Sequence, residues 1–189
     1  MNNQTYKMVA HDPWKDIDQG GFIKFTGLKS RNPALKTLIA LGGWNDSQFS
    51  TQYSEMANNP TLRRDFIAAA VSFIRQVITV WLHQLFLLNR NFMVRLITDN
   101  TVQYNFDGLD LDWEYPGQPG LPQDKQNFVL LLKELREAFA PYGLMLTMAP
   151  SCSKKQADIS YDIPEIAKYV DFVNFMGYGM YSNTTEIFI

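Results

Sequence analysis

The chain carries the segment Phe106-Asp107-Gly108-Leu109-Asp110-Leu111-Asp112-Trp113-Glu114-Tyr115-Pro116, whose pattern is that of a strand buried on one side. Successive side chains of a strand point to opposite faces. The segment therefore places three acids, Asp110, Asp112 and Glu114, on one face, and leucine and tryptophan on the other. Carboxylates crowded in this way repel each other and are costly to desolvate, which is more typical of a functional site than of a structural strand.

Crowding of acids raises the pKa of one of them, so that it can donate a proton near neutral pH. Two other interpretations of the segment stay open. A solvated acidic edge strand would tolerate the same residues, and a metal site would use the same carboxylate oxygens, although no histidine lies near them in the sequence.

Length and composition limit the class of protein. The 189 residues fit one domain, and the net charge of -2 comes without any basic run, so neither nucleic acid nor a membrane is an expected partner. Cys152 is the only cysteine, so no disulfide can form within the chain. Residues 1–7 lack the charged-then-apolar pattern of a signal peptide, and we predict none in this chain.

Strands and helices are predicted to alternate along the chain. Apolar runs that end at glycine, proline or polar residues predict strands at 35–41, 105–115, 144–149 and 170–176. Apolar residues at helical spacing predict one helix that begins at Pro60 and two more at 124–140 and 163–169. This alternation predicts an α/β fold with parallel strands, in which chemistry gathers at the carboxyl ends of the strands.

Three short motifs lie at these predicted strand ends. Residues 107–114 match the pattern DGxDxDxE at every fixed position, and residues 38–44 are similar to an SxGG strand with Ala40 in place of the serine. Residues 176–178 are similar to the start of an MxYD strand. With these motifs the chain resembles the chitinases of glycoside hydrolase family 18, in particular their animal, arthropod-like type. The resemblance runs from about residue 5 to residue 181.

The resemblance implies a (β/α)8 TIM barrel that is incomplete in this chain. About strands 3 to 6 are recognisable, so residues 1–189 would form part of a family 18 catalytic domain. The first two strands would be missing upstream of Tyr6, and the last two beyond Tyr181. Half of a barrel leaves two open parallel edges, and we therefore expect the chain alone to be poorly stable and its activity to be impaired.

The resemblance also implies hydrolysis of the β-1,4 linkages between N-acetylglucosamine units in chitin, by a substrate-assisted mechanism that retains the anomeric configuration. Glu114 would protonate the glycosidic oxygen, while the acetamide oxygen of the substrate attacks the anomeric carbon. Asp112 would orient that acetamide, Asp110 would share a proton with Asp112, and Tyr178 would hydrogen-bond the acetamide oxygen. Asp107 is expected to be structural. Neither a cofactor nor a metal ion is expected.

Three further side chains would line the cleft in the resembling family. Trp44 would stack on a sugar ring, and Tyr115 and Met176 would contact the substrate, with packing in the core as the alternative for each. The partner of such a protein would be chitin or chito-oligosaccharides, and the protein would be a monomer outside the cell. A chitin-binding relative without catalysis and a metal-dependent barrel enzyme remain alternatives. Gly179 favours the first, because it stands where the family has the aspartate of MxYD.

Residues 77–103 interrupt the resemblance as an atypical insert. The family runs directly from a helix that ends like residues 73–76 into a strand that begins like residues 104–106. Every valine codon begins with GT and a glutamine codon can end in AG, which are the dinucleotides that bound introns. We therefore hypothesise a retained intron that is translated in frame. The alternative is a genuine insertion at the amino-terminal face of the barrel, away from the chemistry.

Overall fold

A four-stranded parallel sheet organises the described part of the chain. The computed structural model describes residues 1, 5–47, 50–75, 77–79 and 101–178, with the backbone alone for 77–79 and 101–103. The strands are β1 Leu38–Gly42, β2 Val77–Thr79, β3 Thr101–Gln103, β4 Gly108–Asp112, β5 Met145–Met148 and β6 Phe172–Val173. The α-helices are α1 Gly21–Thr26, α2 Trp44–Ser47, α3 Gln52–Asn58, α4 Pro60–Ile74, α5 Asp124–Phe139, α6 Lys154–Ser160 and α7 Ile163–Ile166. A π-helix at Trp14–Asp18 and 3-10 turns at Gly27–Ser30 and Ala140–Tyr142 are the other helical elements within the described residues.

The strands of this sheet lie in the order β1-β4-β5-β6, and every neighbouring pair is parallel. In the register, Leu41 lies beside Leu111, and Leu111 lies beside Met148. The connections between the strands include α4, α5 and α7, as crossovers between parallel strands require. The predicted α/β class and the parallel pairing of the four predicted strands are therefore confirmed.

Helices α4 and α5 begin and pack as the sequence predicts. Pro60 is the first residue of α4, and the side chain of Asn59 caps it by accepting hydrogen bonds from the amides of Thr61 and Leu62 at 2.9 and 3.3 Å. Helix α5 buries one apolar stripe, whose members are Phe128, Leu131, Leu132, Leu135 and Phe139.

An ion pair ties α4 to α5. The guanidinium of Arg63 donates to the two carboxylate oxygens of Glu134 at 2.8 and 2.9 Å, and also to the carbonyl of Ala57 at 2.7 Å. The side chain of Arg63 is buried. Removal of Glu134 would therefore leave an unpaired charge in the interior and lower the free energy of unfolding.

The structure departs from the sequence predictions at strand ends and in short helices. The predicted strand 170–176 is reduced to β6, which pairs only with β5 in the described sheet. Beyond these two strands, Ser151 and Met176 form an isolated parallel bridge. The sequence does not predict α1, α2, α3 or α6, because helices this short show too few turns for an apolar period. None of the helices in the described ranges is long and apolar enough to cross a membrane.

The first and last residues of the insert at 77–103 pair with each other as two short strands. Strands β2 and β3 are antiparallel, with Val77 opposite Gln103 and Thr79 opposite Thr101. Their two-stranded sheet is separate from the four-stranded sheet. Residues 80–100 lie outside the described residues, so the origin of the insert stays a hypothesis.

Candidate active site

The carboxyl end of β4 presents the row of acids. Asp110 and Asp112 belong to β4, and Glu114 follows two residues later. The first two are half-buried, and Glu114 is only 8 % exposed. On the opposite face Trp113 is buried against Tyr53, whose ring stacks on it with centroids 5.8 Å apart. The alternation expected for a strand thus separates the acids from the core.

Asp110 is held by donors from the two strands that follow β4. Its Oδ1 atom accepts hydrogen bonds from Thr147 Oγ1 and from Asn174 Nδ2, the latter at 2.8 Å. Thr147 lies beside Asp110 in the register of β4 and β5, and Asn174 directly follows β6. These contacts fix the carboxyl group of Asp110 next to Asp112.

Asp112, in the middle of the row, has a strongly raised pKa. Burial raises it, and the neighbouring charges of Glu114 and Asp110 raise it further, to about 7. The Oδ1 atom of Asp112 is buried and has no hydrogen-bond partner among the described residues. The role of Glu114 as the proton donor stays a prediction from the resemblance. The raised pKa of Asp112 has burial as its main cause, and its position between two other carboxyl groups adds to the effect.

Tyr115 and Tyr161 lie close to Glu114. Burial raises the pKa of the Tyr115 hydroxyl and its hydrogen bond to Glu114 adds to this effect, while a hydrogen bond from Ser151 opposes it. Tyr161 is buried nearby, where burial raises the pKa of its hydroxyl, and the oxygen accepts the backbone N–H of Ser151 at 3.4 Å. Tyr115 therefore lies near both Glu114 and Ser151, three residues beyond β5.

Trp44 and Tyr115 border a groove beside the acids. Their ring centroids lie 6.4 Å apart with 57° between the planes, and Trp44 is 52 % exposed. The groove has a volume of about 600 Å³ and is otherwise lined by Gly117, Gln118, Pro119, Gly120 and Gln156. An exposed aromatic ring next to carboxylates can cover the apolar face of a sugar ring, so this geometry is compatible with the binding role predicted for both residues.

Tyr178 and Met176, two further predicted site residues, follow β6 in the chain. The side chain of Tyr178 is 86 % exposed. Met176 is half-buried and pairs with Ser151 through a single bridge. The roles of both at the site stay predictions. Within the described ranges, no group of three or more His, Cys, Asp or Glu side chains is arranged to hold a metal ion.

Asp107, the first acid of the segment, makes structural contacts. Its Oδ2 atom accepts a hydrogen bond from the amide of Thr37 at 2.7 Å and pairs with Lys29 Nζ at 2.6 Å. Burial opposes its charge, but the hydrogen bonds from Lys29 and Thr37 and the charges of Lys29 and Lys36 outweigh this and lower the pKa of Asp107. The carboxylate therefore joins β4 to the chain that leads into β1, below the acid row.

The motifs do not single out three residues that contact or support the site, namely Thr147, Asn174 and Asp124. A signal for the first two exists, because each is a polar residue inside a predicted strand that is mostly apolar. Asp124 gives no such signal, since an acid is common in the first turn of any helix.

Comparison with known proteins identifies the family of the chain. A profile of glycosyl hydrolases family 18 matches residues 1–187. The chain belongs to this family. Among family 18 relatives, "Probable chitinase 2" of Drosophila melanogaster is 43 % identical over 172 residues, which are 88 % of this chain and 30 % of that protein.

Solved structures of family 18 proteins share the fold. Catalytic domain 2 of the Group II chitinase of Ostrinia furnacalis superposes with a TM-score of 0.75 at 34 % identity, over 96 % of this chain and 41 % of that one. Human YKL-39 superposes with a TM-score of 0.62 at 26 % identity, over 90 % and 39 %. The fold is therefore that of part of a family 18 TIM barrel, and the chain spans less than half the length of these structures.

Proposed function

We propose that this family 18 chain hydrolyses the β-1,4 linkages between N-acetylglucosamine units of chitin or chito-oligosaccharides, as part of a monomeric, secreted catalytic domain. The state of Asp112 is the observation that carries the proposal. This acid lies between two other acids, has a pKa of about 7, and has a buried oxygen that accepts no hydrogen bond from the described residues. A mutant of the Ostrinia domain was solved in complex with penta-N-acetylchitooctaose (NAG)5, which supports this class of substrate. We expect low turnover from this chain, because it spans less than half of those structures.

Glu114 starts the breaking of the glycosidic bond. Its carboxyl group gives a proton to the glycosidic oxygen, while the carbonyl oxygen of the substrate's acetamide attacks the anomeric carbon and forms an oxazolinium ion. Because the nucleophile belongs to the same sugar, its effective concentration is high. Tyr115, hydrogen-bonded to Glu114, keeps the acid directed at the leaving oxygen.

Asp112 orients the acetamide. Its buried Oδ1 atom accepts the acetamide N–H, which turns the carbonyl oxygen toward the anomeric carbon. As positive charge develops on the oxazolinium ring, an anionic Asp112 stabilises it. Asp110, held by Thr147 and Asn174, shares a proton with Asp112 and lets its charge follow the reaction.

A water molecule completes the reaction. Its oxygen bonds to the anomeric carbon from the face that the leaving sugar vacated, the carbon–oxygen bond of the oxazolinium ring breaks, and a water proton returns to Glu114. The configuration is retained and the acid is restored. Tyr178 is assigned the hydrogen bond to the acetamide oxygen, and Trp44 and Met176 are assigned contacts with the sugars.

Replacement of the acid, Glu114→Gln, tests the proposal. The full chain is incubated with chitopentaose, and the products are separated by chromatography. We expect wild type to release shorter oligomers and the variant to release about 10²- to 10⁴-fold less, while calorimetry shows that the variant still binds the substrate. Glu137→Gln, on the exposed face of α5, is the matched control and should not change turnover.

Three outcomes of the same assay count against hydrolysis by this mechanism. Equal turnover by wild type and Glu114→Gln would contradict the role of the acid. Loss of turnover with a chelator would favour a metal-dependent enzyme. Binding without any release by wild type would favour the second candidate described next.

The second candidate is a protein that binds chito-oligosaccharides without cleaving them. Gly179 favours it, because the family motif has an aspartate there. Human YKL-39 is a pseudo-chitinase with retained chitooligosaccharide binding properties, which makes such a relative a real precedent. Against it stands Glu114, since a protein that only binds has no need of a buried acid at this position.

A further inference from the structure

We propose that Asp124 is a positioning residue, which fastens the loop after Glu114 and thereby sets the direction of the Glu114 carboxyl group. The inference rests on the proposed function, because it assigns a support to the residue that acts as the acid there. Nothing in the motifs points to Asp124, which lies ten positions beyond Glu114 at the start of α5.

The side chain of Asp124 joins three parts of the protein. It is fully buried. Its Oδ2 atom accepts hydrogen bonds from the backbone amides of Leu121 at 2.8 Å and Gly117 at 3.2 Å, both in the loop. Its Oδ1 atom accepts a hydrogen bond from Ser54 Oγ on α3 at 2.8 Å. The carboxyl group thus links α3 and α5 to the loop that leaves the acid row.

The loop is tied down directly after Glu114. A tight turn is closed by reciprocal backbone hydrogen bonds between Tyr115 and Gln118, at 3.1 and 2.8 Å. The carbonyl of Pro116 accepts the hydroxyl of buried Ser160 at 2.6 Å. The amide of Gly117 donates to Asp124. With consecutive residues held from two helices, the backbone that carries Glu114 has little freedom to turn.

Gly120 shows how closely the loop is fitted to this carboxyl group. A Cβ atom at Gly120 would lie 2.1 Å from Asp124 Oδ2, whereas its other nearest neighbours would be 3.3 Å away. The lack of a side chain at Gly120 is what lets the carboxylate reach the loop amides. An alanine at this position would push the carboxylate away without any change at Asp124 itself.

Burial of a carboxyl group among neutral donors is costly, and a loop on the surface could be closed by less costly means. The free-energy cost of burying this carboxyl group has a reason if the loop has to hold the acid catalyst in position within a fraction of an ångström. A displacement of about 1 Å can lower a rate by about 100-fold.

Three variants of the full chain test this role: Asp124→Asn, Gly120→Ala and the double variant. We expect each single change to lower kcat for chitopentaose by about 10- to 100-fold with KM within about threefold, because the acid is misdirected while Trp44 is unaffected. The double variant should be no slower than the worse single variant, since both remove the same contact. Glu134→Gln, an acid-to-amide change on the same helix, should lower stability through Arg63 but keep kcat within about twofold.

A second readout does not depend on turnover. Amide hydrogen exchange at residues 116–121 should be at least about tenfold faster in Asp124→Asn than in wild type, and unchanged in Glu134→Gln. If wild type releases no product, the proposed function fails, and exchange alone decides the role of Asp124. Unchanged exchange in Asp124→Asn, additive losses of kcat in the double variant, or an equal loss in Glu134→Gln would overturn the inference.

Discussion

Gly42 and the backbone of Asp112 touch so closely that a Cβ atom at Gly42 would lie 2.0 Å from the carbonyl oxygen of Asp112. The same carbonyl accepts the amide of Gly43 at 2.8 Å. Gly42 also has a φ of +118°, which side chains other than hydrogen rarely permit. The turn at the end of β1 is therefore built around the residue that carries the middle acid of the row.

Gly42→Ala should disturb both the fold and the site. The new methyl group collides with backbone, which cannot move away as a flexible side chain does, and the φ value adds strain. We expect the free energy of unfolding to fall by about 2 to 4 kcal/mol in urea denaturation. Gly27→Ala is the control, because a Cβ atom there meets nothing within 4 Å; its change should stay below about 1 kcal/mol. Equal stability of the two variants would contradict the close contact.

Asp112→Asn should become more stabilising as the pH rises. The pKa of Asp112 is raised to about 7 in the folded protein from 3.8, so the folded state binds more protons than the unfolded state between these values, and wild type loses stability across this interval. Asparagine does not ionise and avoids this loss. We expect equal stability near pH 4 and an advantage of about 2 to 4 kcal/mol for the variant at pH 8, measured by urea denaturation.

The matched control for this pH series is Asp158→Asn, which changes an exposed aspartate paired with Lys154. Exposed pairs contribute little, so its effect should stay within about 1 kcal/mol at every pH. A stability difference for Asp112→Asn that does not grow between pH 4 and pH 8 would show that folding does not raise the pKa of Asp112.

The acid row and the main packing of the fold could be predicted because they depend on local periodicity. Alternation in β4 separates Asp112 from Trp113 whatever the rest of the fold does. The apolar spacing in α5 likewise identifies its buried stripe. The choice of the acid with the raised pKa could not be predicted, since it depends on how deeply each carboxyl group is packed and on charges from both sides.

Contacts between segments that are distant in the sequence could not be predicted either. The bond from Thr147 to Asp110 requires the register of β4 against β5, and the bond from Ser54 to Asp124 requires the packing of α3 on α5. The predicted strand 170–176 is too long for a similar reason. Its apolar residues satisfy the pattern of a strand, but only Phe172–Val173 finds a ladder on β5.

Trp44→Ala should weaken the binding of chito-oligosaccharides without a matching loss of stability. The ring is half exposed and borders the groove beside Tyr115, so little core packing is lost. Loss of one stacking platform costs about 1 to 2 kcal/mol, or about 5- to 30-fold in Kd for chitopentaose by calorimetry. Trp14→Ala, which removes another exposed tryptophan, 61 % exposed on the π-helix, should leave Kd unchanged. Equal weakening by both variants would argue against a specific platform at Trp44.

Deletion of residues 77–103, with Gln76 joined to Tyr104, should leave the protein folded. Val77 and Gln103 are partners in an antiparallel pair, so the two ends of the insert lie about 5 Å apart, close to the span of one peptide unit. Near-ultraviolet circular dichroism should keep its shape, and the free energy of unfolding should stay equal or rise, because the connection between α4 and Tyr104 becomes shorter and the entropy cost of closing it falls. A second variant retains β2 and β3 and replaces residues 80–100 with Asn-Gly, a pair that favours tight hairpins. If the full deletion unfolds while the variant with Asn-Gly is stable, β2 and β3 belong to the fold and the insertion is genuine. If both variants are stable, the whole segment is dispensable, as translated intron sequence would be. Sequencing of the spliced transcript then separates the two origins.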